Sequence, residues 1–147
     1  MNEELEFLNF VSKNAQMGVD SIRQLIEITK NENFKEELKK QFTEYESILK
    51  KTNEIIEKNS ENIKSTSLLQ KVETYLMVSV KTLLDKSPDN IAGMLMQGSV
   101  MGIIQIIRRL KQYKDKVDSS FLELGQKLLE IEEHNLEKCK IFLGEKE

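Results

Sequence analysis

The sequence predicts an all-α fold, a bundle of long helices. Three observations predict it. Apolar residues recur at alternating three- and four-residue spacing through most of the chain, the signature of amphipathic helices. One proline and six glycines in 147 residues leave room for long helices without interruption. No stretch alternates apolar and polar residues as a strand would. A chain of this length suits one domain, residues 1 to 147, with one sizeable core.

The first helix is expected over residues 3 to 30, with Leu8, Val11, Ala15, Val19, Ile22, Leu25 and Ile26 on its seam. Gly18 interrupts that seam. A glycine inside a helix costs roughly 1 kcal/mol relative to alanine, so a close helix contact is expected there. Asn31 and Asn33, both good capping residues, mark a short turn. A second helix then covers residues 34 to 58, with Phe34, Leu38, Phe42, Tyr45, Ile48, Leu49, Ile55 and Ile56 on its stripe. So short a link folds the two into an antiparallel hairpin.

Residues 59 to 67 are polar and read as a loop. A third helix is predicted over residues 68 to 85, capped by Ser65 or Ser67, with Leu69, Val72, Leu76, Val80 and Leu83 on one side. Ser87-Pro88-Asp89 then breaks the chain, with Pro88 suited to the first turn of a following helix. That central helix spans residues 90 to 113. A turn at residues 115 to 119 leads to the last helix, residues 120 to 143, whose stripe holds Phe121, Leu124, Leu128, Leu129, Leu136, Cys139, Phe142 and Leu143.

The central helix is unlike the others. Its residues 91 to 107, 17 in all, include no charge, and apolar groups lie on nearly every side of a helical projection. A helix apolar all round belongs in an interior, so it is expected to be the buried centre, with Met94, Met96 and Met101 as adaptable filler. Gly98 and Gly102 form a G-x-x-x-G pair, one turn after Gly93, which predicts close packing. The run is at the short limit for a membrane span and includes Gln97, Ser99 and Gln105, which favours a soluble helix. A patch left uncovered by so small a bundle is expected to pair two copies, a homodimer through the central helix.

Charge excludes some functions. The 22 basic and 25 acidic residues nearly cancel, for a net charge of -3, and lysines interleave with glutamates as in KNENFKEELKK. That pattern predicts a solvated face and no nucleic-acid partner. A lone cysteine, Cys139, excludes an intramolecular disulfide framework and fits a reducing compartment. The acidic start lacks the basic region and long apolar run of a signal peptide, so a cytoplasmic protein is expected.

Chemistry-bearing constellations are few. His134, the only histidine, projects away from the stripe of its helix, whereas Glu132 and Asn135 project into it. A buried polar cluster of Gln41, Tyr45, Glu132 and Asn135, with Gln105 within its scope, is expected, because an acid in a bundle core needs a partner or a proton. Cys139 reads as a small buried hydrophobe. The chain has no phosphate-binding glycine loop, zinc-type Cys/His spacing or nucleophile elbow, so no catalytic residue and no cofactor site are predicted.

The two hairpins, the long helical connection and Glu132-x-x-Asn135 together resemble the ferritin-like superfamily, in particular its small bacterial bundles of the spore-coat and stress type. The resemblance covers almost the whole chain. It implies an up-down-down-up four-helix bundle with an additional helix in the crossover connection. Iron-binding members supply an inward Glu from two helices and Glu-x-x-His from the other two. Here only Glu132 matches, Asn135 stands in the histidine's place, Val11, Ala15 and Gly18 occupy the first helix's positions, and Tyr45 and Ile48 those of the second, with Glu44 at the edge. The di-iron ligands are thus lost. The expected function is non-enzymatic contact with other proteins, in a structural, stress- or sporulation-associated role. The alternatives are a degenerate metal- or iron-handling protein using Glu132, with Glu44 as a second candidate, and a membrane-associated bundle.

Overall fold

The computed structural model describes residues 3–59, 80 and 83–147. Four long helices stand out among them, and no strand: α1 (Glu3–Ile28), α2 (Glu32–Asn59), α3 (Pro88–Gln112) and α4 (Ser119–Lys140). The expected all-α architecture is therefore observed. The predicted helix over residues 68 to 85 falls largely outside the described residues, as do its candidate caps. Val80 is helical and buried. At the far end the expectation fails, because residues 83 to 86 take no helical turn and Leu84 is 97% exposed. The Asp85 carboxylate accepts from the Ser87 backbone N–H at 3.0 Å, and its carbonyl accepts from Asn90 Nδ2 at 2.7 Å. Such local aspartate bonding competes with helix continuation.

Helix boundaries follow capping chemistry. Asn31 Oδ1 accepts from the Phe34 N–H at 2.9 Å and starts α2. Ser87 Oγ accepts from the Asn90 N–H at 3.2 Å, with Pro88 directly behind it at the head of α3. Asp118 caps α4 by accepting from the Ser120 N–H at 2.9 Å. The last helix ends at Lys140, earlier than residue 143. Beyond it a series of turns closes on Gly144 at φ 86°, a conformation that glycine adopts without strain.

Packing pairs α1 with α2 and α3 with α4, and α4 also lies against both α1 and α2. Phe7, Leu8, Val11, Ala15, Ile22, Phe34, Leu38, Ile91, Ile106 and Leu128 are sealed in the common core. Phe7 packs edge-on against Tyr113 with ring centroids 5.7 Å apart. Its ring also fills the space left by Gly125, where an added Cβ would stand 2.6 Å from Cζ. The C-terminal segment joins the two hairpins: Phe142 stacks on Phe34 at 4.5 Å, Gly144 N–H and Lys146 Nζ donate to Asp89, and Asn31 Nδ2 donates to the Glu147 carbonyl.

α3 corrects the expectation of a buried centre. Pro88, Ile91, Ala92, Ser99 and Ile106 face inward, but Met94, Val100, Ile104 and Ile107 are exposed and Met101 is 62% exposed. Among the described helices α3 packs chiefly against α4 and meets α1 only marginally. Gly93 and Gly98 have open space where a Cβ would stand, so the expected close packing fails at Gly98 and holds only at Gly102.

Candidate functional site

Three helices converge on Glu132. The residue lies on the inner face of α4 with Leu128, Asn135 and Cys139, and is buried like them. Its carboxylate rests on α3 at Gly102, where an added Cβ would lie 3.3 Å from Glu132 Oε2. The missing side chain makes the room that the carboxylate uses. Ser99, one turn earlier on α3, supplies a neighbouring hydroxyl. From α2 comes Tyr45, whose ring sits where Gly18 of α1 lacks a side chain, since a Cβ there would fall 2.5 Å from the ring. The close contact expected at Gly18 is therefore present, and Tyr45 makes it.

Burial raises the proton affinity of the Glu132 carboxyl, while the Tyr45 and Ser99 hydroxyls oppose that shift by favouring the charged form. Burial and the adjacent Glu132 carboxylate hold the Tyr45 phenol well above its ordinary range, so it stays neutral. Asn135 is 1% exposed and stands beside the Tyr45 hydroxyl, and Glu132 is not among its partners. The expected bond from Asn135 to Glu132 is thus absent, and the α3 neighbours that replace it, Ser99 and Gly102, were not anticipated. Crossing points between helices leave no trace in the period of either one.

Gln41 is buried but engaged elsewhere. Its Nε2 donates to Glu37 Oε2 at 2.9 Å and toward Cys139 Sγ at 3.8 Å. The predicted four-residue cluster is therefore three residues around Glu132, with Gln41 serving a separate pair. Gln97 and Gln105 are exposed on the outer side of α3. Burial lifts the Cys139 thiol to about 11, which leaves it a neutral packing group.

Glu44 faces a different space. It lines an open groove of about 810 Å³ between α2 and α4, floored by Ile48, Ile55, Leu124 and Ile131. Burial raises the Glu44 carboxyl, and the exposed His134 across the groove opposes the shift. Glu132 is not among the groove's lining residues, so the two metal candidates do not share a site. Among the described residues no three His, Cys, Asp or Glu side chains are grouped as metal ligands. Among the described residues Glu132 has Tyr45, Ser99 and Asn135 around it and no second carboxylate, a donor set that does not fit two divalent ions.

α3 is, among the described residues, long and apolar enough to cross a membrane by length and composition. No family model matches the chain, and comparisons with curated proteins and with solved structures find no match.

Proposed function

We propose that this protein is a non-enzymatic, ferritin-like helical bundle that works in the cytoplasm through protein contacts, as a homodimer formed along α3. The observation that carries the proposal is the outer face of α3, where Met94, Val100, Met101, Ile104 and Ile107 are exposed within the uncharged run of residues 91 to 107. Large contiguous apolar faces on soluble proteins mark interaction surfaces.

The up-down-down-up arrangement has support in residue pairings. Glu4 accepts from the Asp118 N–H and Phe7 meets Gly125, consistent with α1 and α4 running the same way. Gln41 opposite Cys139, and Tyr45 opposite Glu132, are consistent with α2 running against α4. The hairpin link between α3 and α4 then gives α3 the direction of α2. A metal-handling role for Glu132 finds no partner carboxylate among the described residues, and metal analysis of the purified chain tests it directly.

Sedimentation of the full chain at micromolar concentration should give twice the 17.1 kDa chain mass. Met101→Lys combined with Ile104→Glu should yield monomers that melt like the parent. A wild-type monomer, or wild-type protein that floats with phosphatidylcholine vesicles, would overturn the homodimer.

A further inference from the structure

The outer face of α3 is ordered along its length in a way that specifies how a second copy would meet it. This inference rests on the homodimer proposed above. At about 100° per residue, Asn90, Met94, Gln97, Met101, Ile104 and Arg108 fall on one side of the helix. All but the half-buried Asn90 are exposed. The middle of this row is uncharged and its ends are not alike. At the head of α3, Asp85, Asp89, Glu145 and Glu147 outnumber Lys86 and Lys146, the C-terminal segment being held there by the bonds from Gly144 and Lys146 to Asp89. At its tail stand Arg108, Arg109, Lys111, Lys114 and Lys116, and of the acids near them Glu3 pairs with Lys116, Glu6 accepts from the Tyr113 hydroxyl, Asp118 caps α4 and Asp115 lies in the turn between.

We infer that two copies meet antiparallel along α3, about a two-fold axis midway between Gln97 and Met101, with the basic tail of each helix over the acidic head of the other. In that register Met94 opposes Ile104 of the partner subunit, Gln97 opposes Met101 of the partner subunit, and Arg108 reaches Asn90 and Asp85 of the partner subunit. The pairing is self-complementary, as an isologous interface must be. A parallel pairing would instead set arginine against arginine at one end and carboxylates together at the other, and would align the helix dipoles unfavourably.

Disulfide trapping of the full chain reads the register directly. Cys139 is buried with its thiol lifted to about 11, so it does not compete. The rise of about 1.5 Å per residue sets position 97 opposite position 101 of the other copy and puts the two copies of position 94 about 15 Å apart. A mixture of Gln97→Cys with Met101→Cys should therefore cross-link under mild oxidation, Met94→Cys alone should not, and a mixture of Met94→Cys with Ile104→Cys should. Arg108→Glu should weaken dimerisation about tenfold or more, and adding Asp85→Lys should recover much of that loss. Self-cross-linking by Met94→Cys, or Arg108→Glu dimers as tight as wild type, would overturn the antiparallel register while leaving a dimer standing. A wild-type monomer by sedimentation would instead remove the underlying reading.

Discussion

α1 and α3 are nearly equal in length and opposite in how they are used. α1 opens on three acids, yet buries eleven of its 26 residues. α3 carries the uncharged run of residues 91 to 107, yet buries five of its 25. The difference lies in neighbours. α1 turns Leu8, Val11, Ala15 and Val19 toward its hairpin partner and sets Phe7 and Phe10 beneath the second hairpin, where Tyr113 and Arg109 meet them at 5.7 Å and 4.7 Å. Among the described helices α3 has one principal neighbour, α4, and Met94, Val100, Met101, Ile104 and Ile107 on its far side are exposed. Apolar composition measures what a helix could bury, and only its place in the bundle decides what it does bury.

The contrast is sharpest at Phe7 and Met101. Phe7→Ala should cost about 3–5 kcal/mol, because a sealed ring over Gly125 leaves a cavity that two helices cannot close. Met101→Ala should stay within about 0.5 kcal/mol when urea unfolding is followed in dilute protein. Equal losses would erase the distinction between the two helices. Glycines test it next. Gly18→Ala forces a Cβ into the Tyr45 ring and should cost roughly 1–3 kcal/mol. Gly98→Ala meets nothing and should stabilise by roughly 0.5–1 kcal/mol through helix propensity. A destabilised Gly98→Ala would mean that this face is closely packed after all.

A third measurement probes the inner side of α3 by pH. The folded-state affinity of Glu132 for its proton is raised above the ordinary value of 4.5. Folding therefore gains from that proton at pH values below about 4.5, and the gain is lost as pH rises through the folded-state value. Glu132→Gln should remove this part of the slope, seen as a flatter melting temperature against pH from 4 upward. An unchanged slope would place the carboxylate in water. The smallest effect concerns Cys139, whose buried thiol should react with a water-soluble disulfide reagent only as fast as the chain unfolds.

How much of this the sequence made legible depends on which physical signal each feature leaves. Seam residues such as Val11, Ala15, Ile22, Leu38 and Leu128 were readable because a helix with one dominant neighbour buries one periodic stripe. The Asn31 turn and the Pro88 start were readable from capping chemistry alone. Phe7 and Phe10 were missed because α1 has two neighbours and its buried face is wider than a single stripe. Gly125 was missed because a glycine inside a helix signals a close approach only once its visitor, Phe7, is known. The inward direction of Glu132 and Asn135 came from periodicity, whereas the carboxylate's seat at Gly102 depends on where two helices cross. The exposure of α3 left no signal at all, since seventeen uncharged residues describe an interior and a contact face equally well.

The notch at Gly18 has a consequence for a group it never touches. Tyr45 rests one end of its ring against α1 there and presents its hydroxyl to Glu132 on α4. The ring is a rigid lever between two helices, and the notch is its fulcrum. Moving the fulcrum, by sliding α1 or by filling the notch, withdraws the hydroxyl and raises the carboxyl's hold on its proton. By reciprocity, a proton gained at Glu132 alters how firmly Tyr45 is pressed into α1. The seating of the first helix and the charge state of the last are thus two readouts of one mechanical coordinate.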